Sequence, residues 1–313
     1  MCAIQTEFNK IDEEFRKYAT KNRYELENAM IKPINVNNFP FAQNGICAMI
    51  ATMGSGKTHT YLKLACQQQA LLKKEPFFEL VVICSTSGKF DETVNAFAPI
   101  IQNKSKLVHV KDTDLLAWLN KYIHRMRKYN SFMKYLKKNE FDEELERIGM
   151  KHGFKFIDEK EVNKTVSMRD YVKNQDKMLE YITKKLDKYK WKTYPHRCLL
   201  IFDDFASHPL LKSRETDLSR LLKKLRHFHI NVIICVQTTR SIPRDLKRCL
   251  SDIILFPGIS RTDFLDLCDE TGASALCDSY KLWQSYQEMY DPHGRFTIFL
   301  KAKKIRIEQE KKL

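Results

Sequence analysis

One octapeptide constrains this chain more than any other feature: Ala51-Thr-Met-Gly54-Ser55-Gly56-Lys57-Thr58. It follows a short apolar run, Gly45–Ala51, that reads as a strand buried on both faces. A helical pattern over 57–73, with Leu62, Leu64, Ala65 and Leu71, comes directly after it. Glycines let such a loop fold back so that successive backbone N–H groups point inward, and the following helix adds its positive dipole end. This is the spacing of a phosphate-binding loop, with Ala51 in place of the usual first glycine. The residues expected to cradle a nucleoside triphosphate are Met53, Gly54, Ser55, Gly56, Lys57, Thr58 and His59. Lys57 is expected to reach the β- and γ-phosphates, and the Thr58 hydroxyl to ligate magnesium. ATP with Mg2+ is the expected ligand pair. The plainer alternative, a glycine turn before a solvated lysine, does not account for the strand before the loop and the helix after it.

Further buried-strand candidates are Leu80–Ser85, Cys198–Asp203, Ile230–Val236 and Ile253–Phe256, with Lys106–Val110 as a short additional one. Helical patterns separate most of them. The expected fold class is therefore α/β, a P-loop NTPase core with a mainly parallel, doubly wound sheet. Residues 111–196 have a different texture: they are rich in Lys, Tyr and Phe, with helical patterns at about 112–138 and 167–190. The expected organisation is an N-terminal helical extension (1–40), a first core segment (41–110), a basic helical insertion (111–196), a second core segment (197–300) and a basic tail (301–313). Arg295–Leu300 suggests a closing hairpin or edge strand.

A phosphate loop needs a carboxylate partner at the end of a neighbouring strand. Cys198-Leu-Leu-Ile-Phe-Asp203-Asp204 supplies it. Asp203 is expected to hold magnesium through water, and Asp204 to orient or deprotonate the attacking water. Ile230–Val236 runs into Gln237, a polar strand tip able to touch the γ-phosphate. A strand at 80–85 between the two motifs, an acidic pair and a polar strand tip favour the ATPase branch with a carboxylate after the magnesium Asp. Asn9-Lys-Ile-Asp12 spells a guanine-reading pattern, but it precedes the loop in a helical stretch and is read as coincidence.

The chain carries 54 Lys and Arg against 39 Asp and Glu, a formal charge of +15, which favours anionic partners. Its nine cysteines form no CxxC pair, and Cys47, Cys84, Cys198 and Cys235 lie inside apolar runs. Neither a disulfide framework nor a zinc site is expected. Met1–Lys10 has no basic-then-apolar leader pattern, and no apolar run approaches membrane-spanning length, so the expectation is a soluble intracellular protein without a membrane partner.

These residues resemble a known family. The loop Ala51–Thr58, the strand ending Asp203-Asp204, and Arg226-His227 ahead of a strand carrying Gln237, with Pro243 beyond, look like the FtsK–HerA superfamily of DNA-pumping ATPases. The match is best to the genome-packaging ATPases of poxviruses, other large cytoplasmic DNA viruses and virophages. It covers about 36–110 and 197–260, and includes the Asn-Phe39-Pro40-Phe41 lead-in. Leu225 stands where a small residue is expected, Lys247-Arg248 where an arginine is expected, and the insertion matches nothing in the family.

The resemblance implies a homo-oligomeric ring of five or six subunits translocating double-stranded DNA, and a capsid or portal-vertex partner. Its implied location is the virion or the host-cell cytoplasm. An arginine from the neighbouring subunit would stabilise the transferring phosphoryl group, with Arg226 first, then Arg220 and Arg240. DNA contacts are expected from the Tyr/Lys-rich helices of 111–196 or from 301–313. Rival readings are a cellular or plasmid translocase or helicase, a small-substrate kinase, and a non-motor ATP-dependent assembly switch. A helicase would need a second P-loop-like domain, for which the remaining chain is too short, and a charge of +15 suits a kinase poorly.

Overall fold

The computed structural model describes residues 44–69, 78–86, 91–103, 105–138, 140–154, 167–188, 197–205, 217–289, 291, 293–301 and 303–308. The expected N-terminal helical extension and the Phe39-Pro40-Phe41 lead-in lie outside them. The chain forms two compact units, Met1–Leu116 with Arg197–Leu313, and Ala117–His196.

The first unit is built on eight strands: β1 Ile46–Ile50, β2 Leu80–Ser85, β3 Lys106–Lys111, β4 Cys198–Asp203, β5 Ile230–Val236, β6 Asp252–Leu255, β7 Arg295–Phe299 and β8 Lys304–Glu308. They form one sheet in the order β3-β2-β4-β5-β1-β6-β7-β8. Pairing is parallel from β3 through β6 and antiparallel for β6–β7 and β7–β8. Every residue of β1, β5 and β6 is buried, which is why these strands read as nearly continuous apolar runs, interrupted by Asn231 and Asp252, instead of alternating ones. The fold is thus the expected α/β sheet.

At the C-terminal end Arg295–Phe299 takes the hairpin alternative and not the edge one: Lys304–Glu308 pairs with it antiparallel, in register from Arg295–Glu308 to Phe299–Lys304. Lys304–Glu308, read as part of a basic tail, is itself the edge strand. Lys304, Arg306 and Glu308 alternate with Ile305 and Ile307, and charges on an edge discourage pairing with another chain.

Helices pack on the sheet. Helix α1, Lys57–Gln69, buries Tyr61, Leu64 and Ala65, an i, i+3, i+4 set on one face, with Leu62 beside them. Helix α2, Glu92–Gln102, starts where the Asp91 side chain accepts from Val94 N at 2.7 Å. It buries Val94, Phe97, Ile100 and Ile101 in the same core as Tyr61, Ile83 and Ile201. Each such side chain contributes roughly 1.5–3 kcal/mol by leaving water.

In the second unit, Leu115–Lys138 (α3), Glu143–His152 (α4) and Met168–Lys188 (α5) are helical. Sequence periodicity found the first and last; α4 is a finding of the structure. Asp142 caps it, accepting from Leu145 N at 3.2 Å, and Gly153 ends it at φ 72°. Ile123, Met126, Phe132, Leu145, Ile148, Met178 and Ile182 fill this unit's interior. The first unit also holds α6 Asp217–Lys224, α7 Arg244–Lys247, α8 Arg261–Thr271 and α9 Ser279–Gln287. Among the described residues no helix is long and apolar enough to cross a membrane.

Candidate nucleotide site

The carboxyl ends of β4, β5 and β1, three adjacent parallel strands, converge on one place. This is where parallel α/β sheets commonly bind ligands. Ala51 N donates to Val236 O at 3.1 Å, tying the start of the loop to the tip of β5. Gly54 and Gly56 have φ of 78° and 88°, the left-handed region that side-chain-bearing residues avoid. A Cβ at either would meet no atom within 4 Å, so the hollow above the loop is open and the demand for glycine is conformational. Ser55 Oγ donates to Thr52 O at 2.7 Å, closing the turn from within. Met53 is 82% exposed at the rim.

Lys57 opens α1, and its Nζ folds back to donate to Ala51 O at 2.7 Å and Thr52 O at 2.8 Å. Burial lowers its pKa below the ordinary lysine value, against the opposing effect of Cys235, Asp204 and Asp203. Thr58 follows it, half-buried in the same first turn. His59 turns away: its ring packs edge-on against Phe97 at 5.3 Å, and burial drops its pKa to about 4. Any contact it makes with phosphate is therefore through its backbone N–H.

Asp203 ends β4, half-buried, and accepts from the Tyr61 hydroxyl at 2.9 Å. Burial raises the Asp203 pKa, and the Tyr61 bond acts in the opposite direction. Asp204 is exposed, with φ 55°, a left-handed conformation that Asp tolerates better than most residues. Gln237, at the tip of β5, donates from Nε2 to Asp204 Oδ1 at 3.0 Å. The strand lying between β1 and β4 in the sheet is thus β5, while β2 (80–85) lies on the far side of β4.

The arginines are distributed differently. Arg226 sits in the 3-10 turn Leu225–Phe228 that precedes β5, with Nε 3.3 Å from His227 Nε2. It is at the opposite end of the strand from Gln237, about 20 Å away for seven residues at ~3.3 Å each. The structure does not bring it to the site of its own chain. Arg220 is an exposed residue of α6. Arg240, in the 3-10 turn Thr239–Ser241 just after β5, is on the site's end of the sheet and pairs with Asp263 at 3.2 Å. Lys247 is buried and pairs with Glu270 at 2.6 Å, so the position where an arginine was expected has a packing role.

Sequence reasoning missed Tyr61. The signal was available: Tyr61 follows Lys57 by four residues on one helix, so the two share a face. A fully buried phenol on such a face needs a polar partner, and the site offers Asp203.

The donor chemistry fits magnesium. Thr58 and Asp203 offer hard oxygen ligands. Among the described residues no cluster of three or more His, Cys, Asp or Glu is placed to hold a metal alone. A cation here would be shared with nucleotide phosphates and water, which is how Mg2+ is commonly bound.

No protein-family profile matches the chain, and no curated protein matches it. Among solved structures, the genome packaging NTPase B204 of Sulfolobus turreted icosahedral virus 2, in complex with ATP-gammaS, aligns at TM-score 0.45 and 12% identity. That alignment covers 85% of this chain and 96% of that one. The cytoplasmic domain of the Thermomonospora curvata type VII secretion ATPase EccC aligns at TM-score 0.42 and 14% identity, covering 88% of this chain and 29% of that one. EssC (ATPases 2 and 3) from Geobacillus thermodenitrificans aligns at TM-score 0.36 and 14% identity, covering 72% and 34%. Likeness of this size assigns no activity to the chain.

Proposed function

We propose that this chain is a magnesium-dependent ATPase of FtsK–HerA type whose turnover moves double-stranded DNA, with packaging of a viral genome as its task. The observation that carries the reading is the convergence of Lys57, the Asp203–Asp204 pair and Gln237 at the ends of adjacent parallel strands, beside an open glycine cradle. In this reading the N–H groups of 53–59 hold phosphate oxygens, and Lys57 exchanges its two carbonyl partners for the β- and γ-phosphates. Thr58 and Asp203 hold the cation. Bound Mg2+ would neutralise charge building on the β- and γ-oxygens. Gln237 fixes the Asp204 carboxylate. Asp204 takes the proton of a water as its oxygen bonds to the γ-phosphorus and the bond to the ADP oxygen breaks.

The separation of Arg226 from its own site supports a finger acting on a neighbouring copy in a ring of five or six, with Arg220 and Arg240 as the other candidates. The net charge of +15 supports a sequence-independent polyanion as the substrate moved. A capsid or portal-vertex partner, and residence in the virion or host-cell cytoplasm, complete the proposal.

The test is steady-state ATPase rate with and without double-stranded DNA, at low and moderate salt, with Lys57→Ala as the blank. Several-fold stimulation that weakens with salt is the expected result. Hydrolysis indifferent to DNA would remove the motor from the reading. Absence of hydrolysis would leave an assembly switch instead.

A further inference from the structure

The helical unit contains a cavity of ≈ 220 Å³ to which each of its three described helices contributes a pair of residues four apart. They are His124 and Lys128 from α3, Arg147 and Lys151 from α4, and Tyr181 and Lys185 from α5. An i, i+4 spacing puts both members of a pair on one face, so three faces converge on one opening.

The wall is positive and partly built. No acidic residue lines the cavity. Glu144 holds Arg147 from outside in a fork, 2.7 Å from Nη2 and 3.3 Å from Nε. Among the described residues Lys128, Lys151 and Lys185 take part in no ion pair. Tyr181 is the fixed element. Its hydroxyl is 3.2 Å from His152 Nε2, its ring lies 4.7 Å from the His152 ring and 5.5 Å from Phe154, and Lys185 Nζ stands 5.3 Å from its centroid. Burial, and then the nearby Lys128, push the His124 pKa below its ordinary value, with Glu144 opposing. Three lysines and no carboxylate on its wall make the cavity favourable to an anion.

From this geometry we infer that the cavity is a phosphate-ester site that grips the backbone of a nucleic acid. The cations supply point charges for phosphate oxygens. The contact inferred is with phosphate oxygens, which carry no sequence information. His124, Arg147 and Lys151 are exposed at the rim, which suits a polymer arriving from solvent. The inference deepens the proposed function and rests on its DNA-binding part.

The test uses the full chain and fluorescence anisotropy of a labelled DNA duplex across a salt series. Wild type is compared with the triple variant Lys128→Gln, Lys151→Gln, Lys185→Gln and with Lys151→Glu alone. Each neutralised phosphate contact shifts the slope of log affinity against log salt by about 0.9. The triple variant is expected to bind at least about tenfold more weakly at moderate salt, with the slope shallower by about 2–3. The Lys151→Glu variant changes one exposed residue, keeps the question open to refutation if the triple variant melts early, and is expected to weaken binding in the same direction. Wild type and both variants binding duplex with one affinity and one slope would overturn the site while leaving the motor reading intact. Failure of wild type to bind duplex would overturn the DNA part of the motor reading and this site with it. Loss of duplex binding only to competing AMP or inorganic phosphate, with the lysine variants unaffected, would also overturn it.

Discussion

The Tyr61 hydroxyl donates to Asp203 Oδ2 at 2.9 Å, joining the second turn of α1 to the carboxyl end of β4. The helix that begins with Lys57 thereby positions the carboxylate proposed to hold magnesium. Burial raises the Asp203 pKa and the Tyr61 bond restrains the rise. In Tyr61→Phe the carboxyl is expected to take up a proton more readily. Magnesium needs the carboxylate, so its affinity falls as pH drops through the raised pKa, and the fall starts at higher pH in the variant. A hydrogen bond to a charged group is worth about 1.5–3 kcal/mol, so half-saturating Mg2+ should rise about tenfold. Magnesium titrations of ATP turnover between pH 5 and 8 read both effects. Superimposable titrations would reduce Tyr61 to packing.

Gln237 and Asp204 form the second coupled pair, at 3.0 Å. Asp204→Asn should retain nucleotide binding and lose turnover by about 10²-fold or more, as expected for a lost general base. Gln237→Ala leaves Asp204 in place without its anchor and should slow hydrolysis about tenfold with near-normal binding. If Gln237→Ala hydrolyses at the wild-type rate and remains coupled to DNA, Gln237 is structural.

Gly56→Ala isolates the loop's backbone from its side chains. The added methyl meets no atom within 4 Å, but φ of 88° is unfavourable for alanine. The variant should fold with a loss of about 1 kcal/mol and bind nucleotide markedly more weakly. Thermal melts with and without Mg-ATP separate the two effects, and a wild-type nucleotide-induced shift would contradict the cradle.

His59 gives a pH signature independent of catalysis. Its pKa is about 4 in the folded chain, below the ordinary value near 6.5. The unfolded chain therefore binds more protons between these values. The stability this group contributes is complete above about 6.5 and is lost as pH falls through 4. His59→Phe, which keeps a ring against Phe97, should remove on the order of 2–3 kcal/mol of that pH dependence. Denaturant unfolding at pH 7 and pH 4.5 reads it. Parallel pH profiles for the two proteins would contradict the burial of a neutral ring.

The sheet was legible because strands buried on both faces are apolar along most of their length. Leu80–Ser85, Cys198–Asp203 and Ile230–Val236 could be read off residue by residue for that reason. The loop and its Asp203–Asp204–Gln237 counterpart were legible because each sits at a strand end that the apolar run marks. Lys304–Glu308 was missed as a strand because an edge carries charges, and charges read as a tail. Helical spacing puts Tyr61 on the face of Lys57, but its partner Asp203 is 142 residues away in the chain, and only the fold joins the two. Helix α4 is only ten residues long and amphipathic on a narrow face, and it was overlooked between two longer patterns. Arg226 precedes β5 and Gln237 follows it, so their placement at opposite ends of the strand was legible from chain order once β5 was recognised.

The most direct test is steady-state phosphate release from Mg-ATP by wild type beside Lys57→Ala and Asp204→Ala. Turnover by wild type that is lost in both variants, with Asp204→Ala still binding nucleotide, is the result expected of a hydrolytic site at the ends of β1, β4 and β5. Equal rates in all three proteins, or no release by wild type, would contradict it.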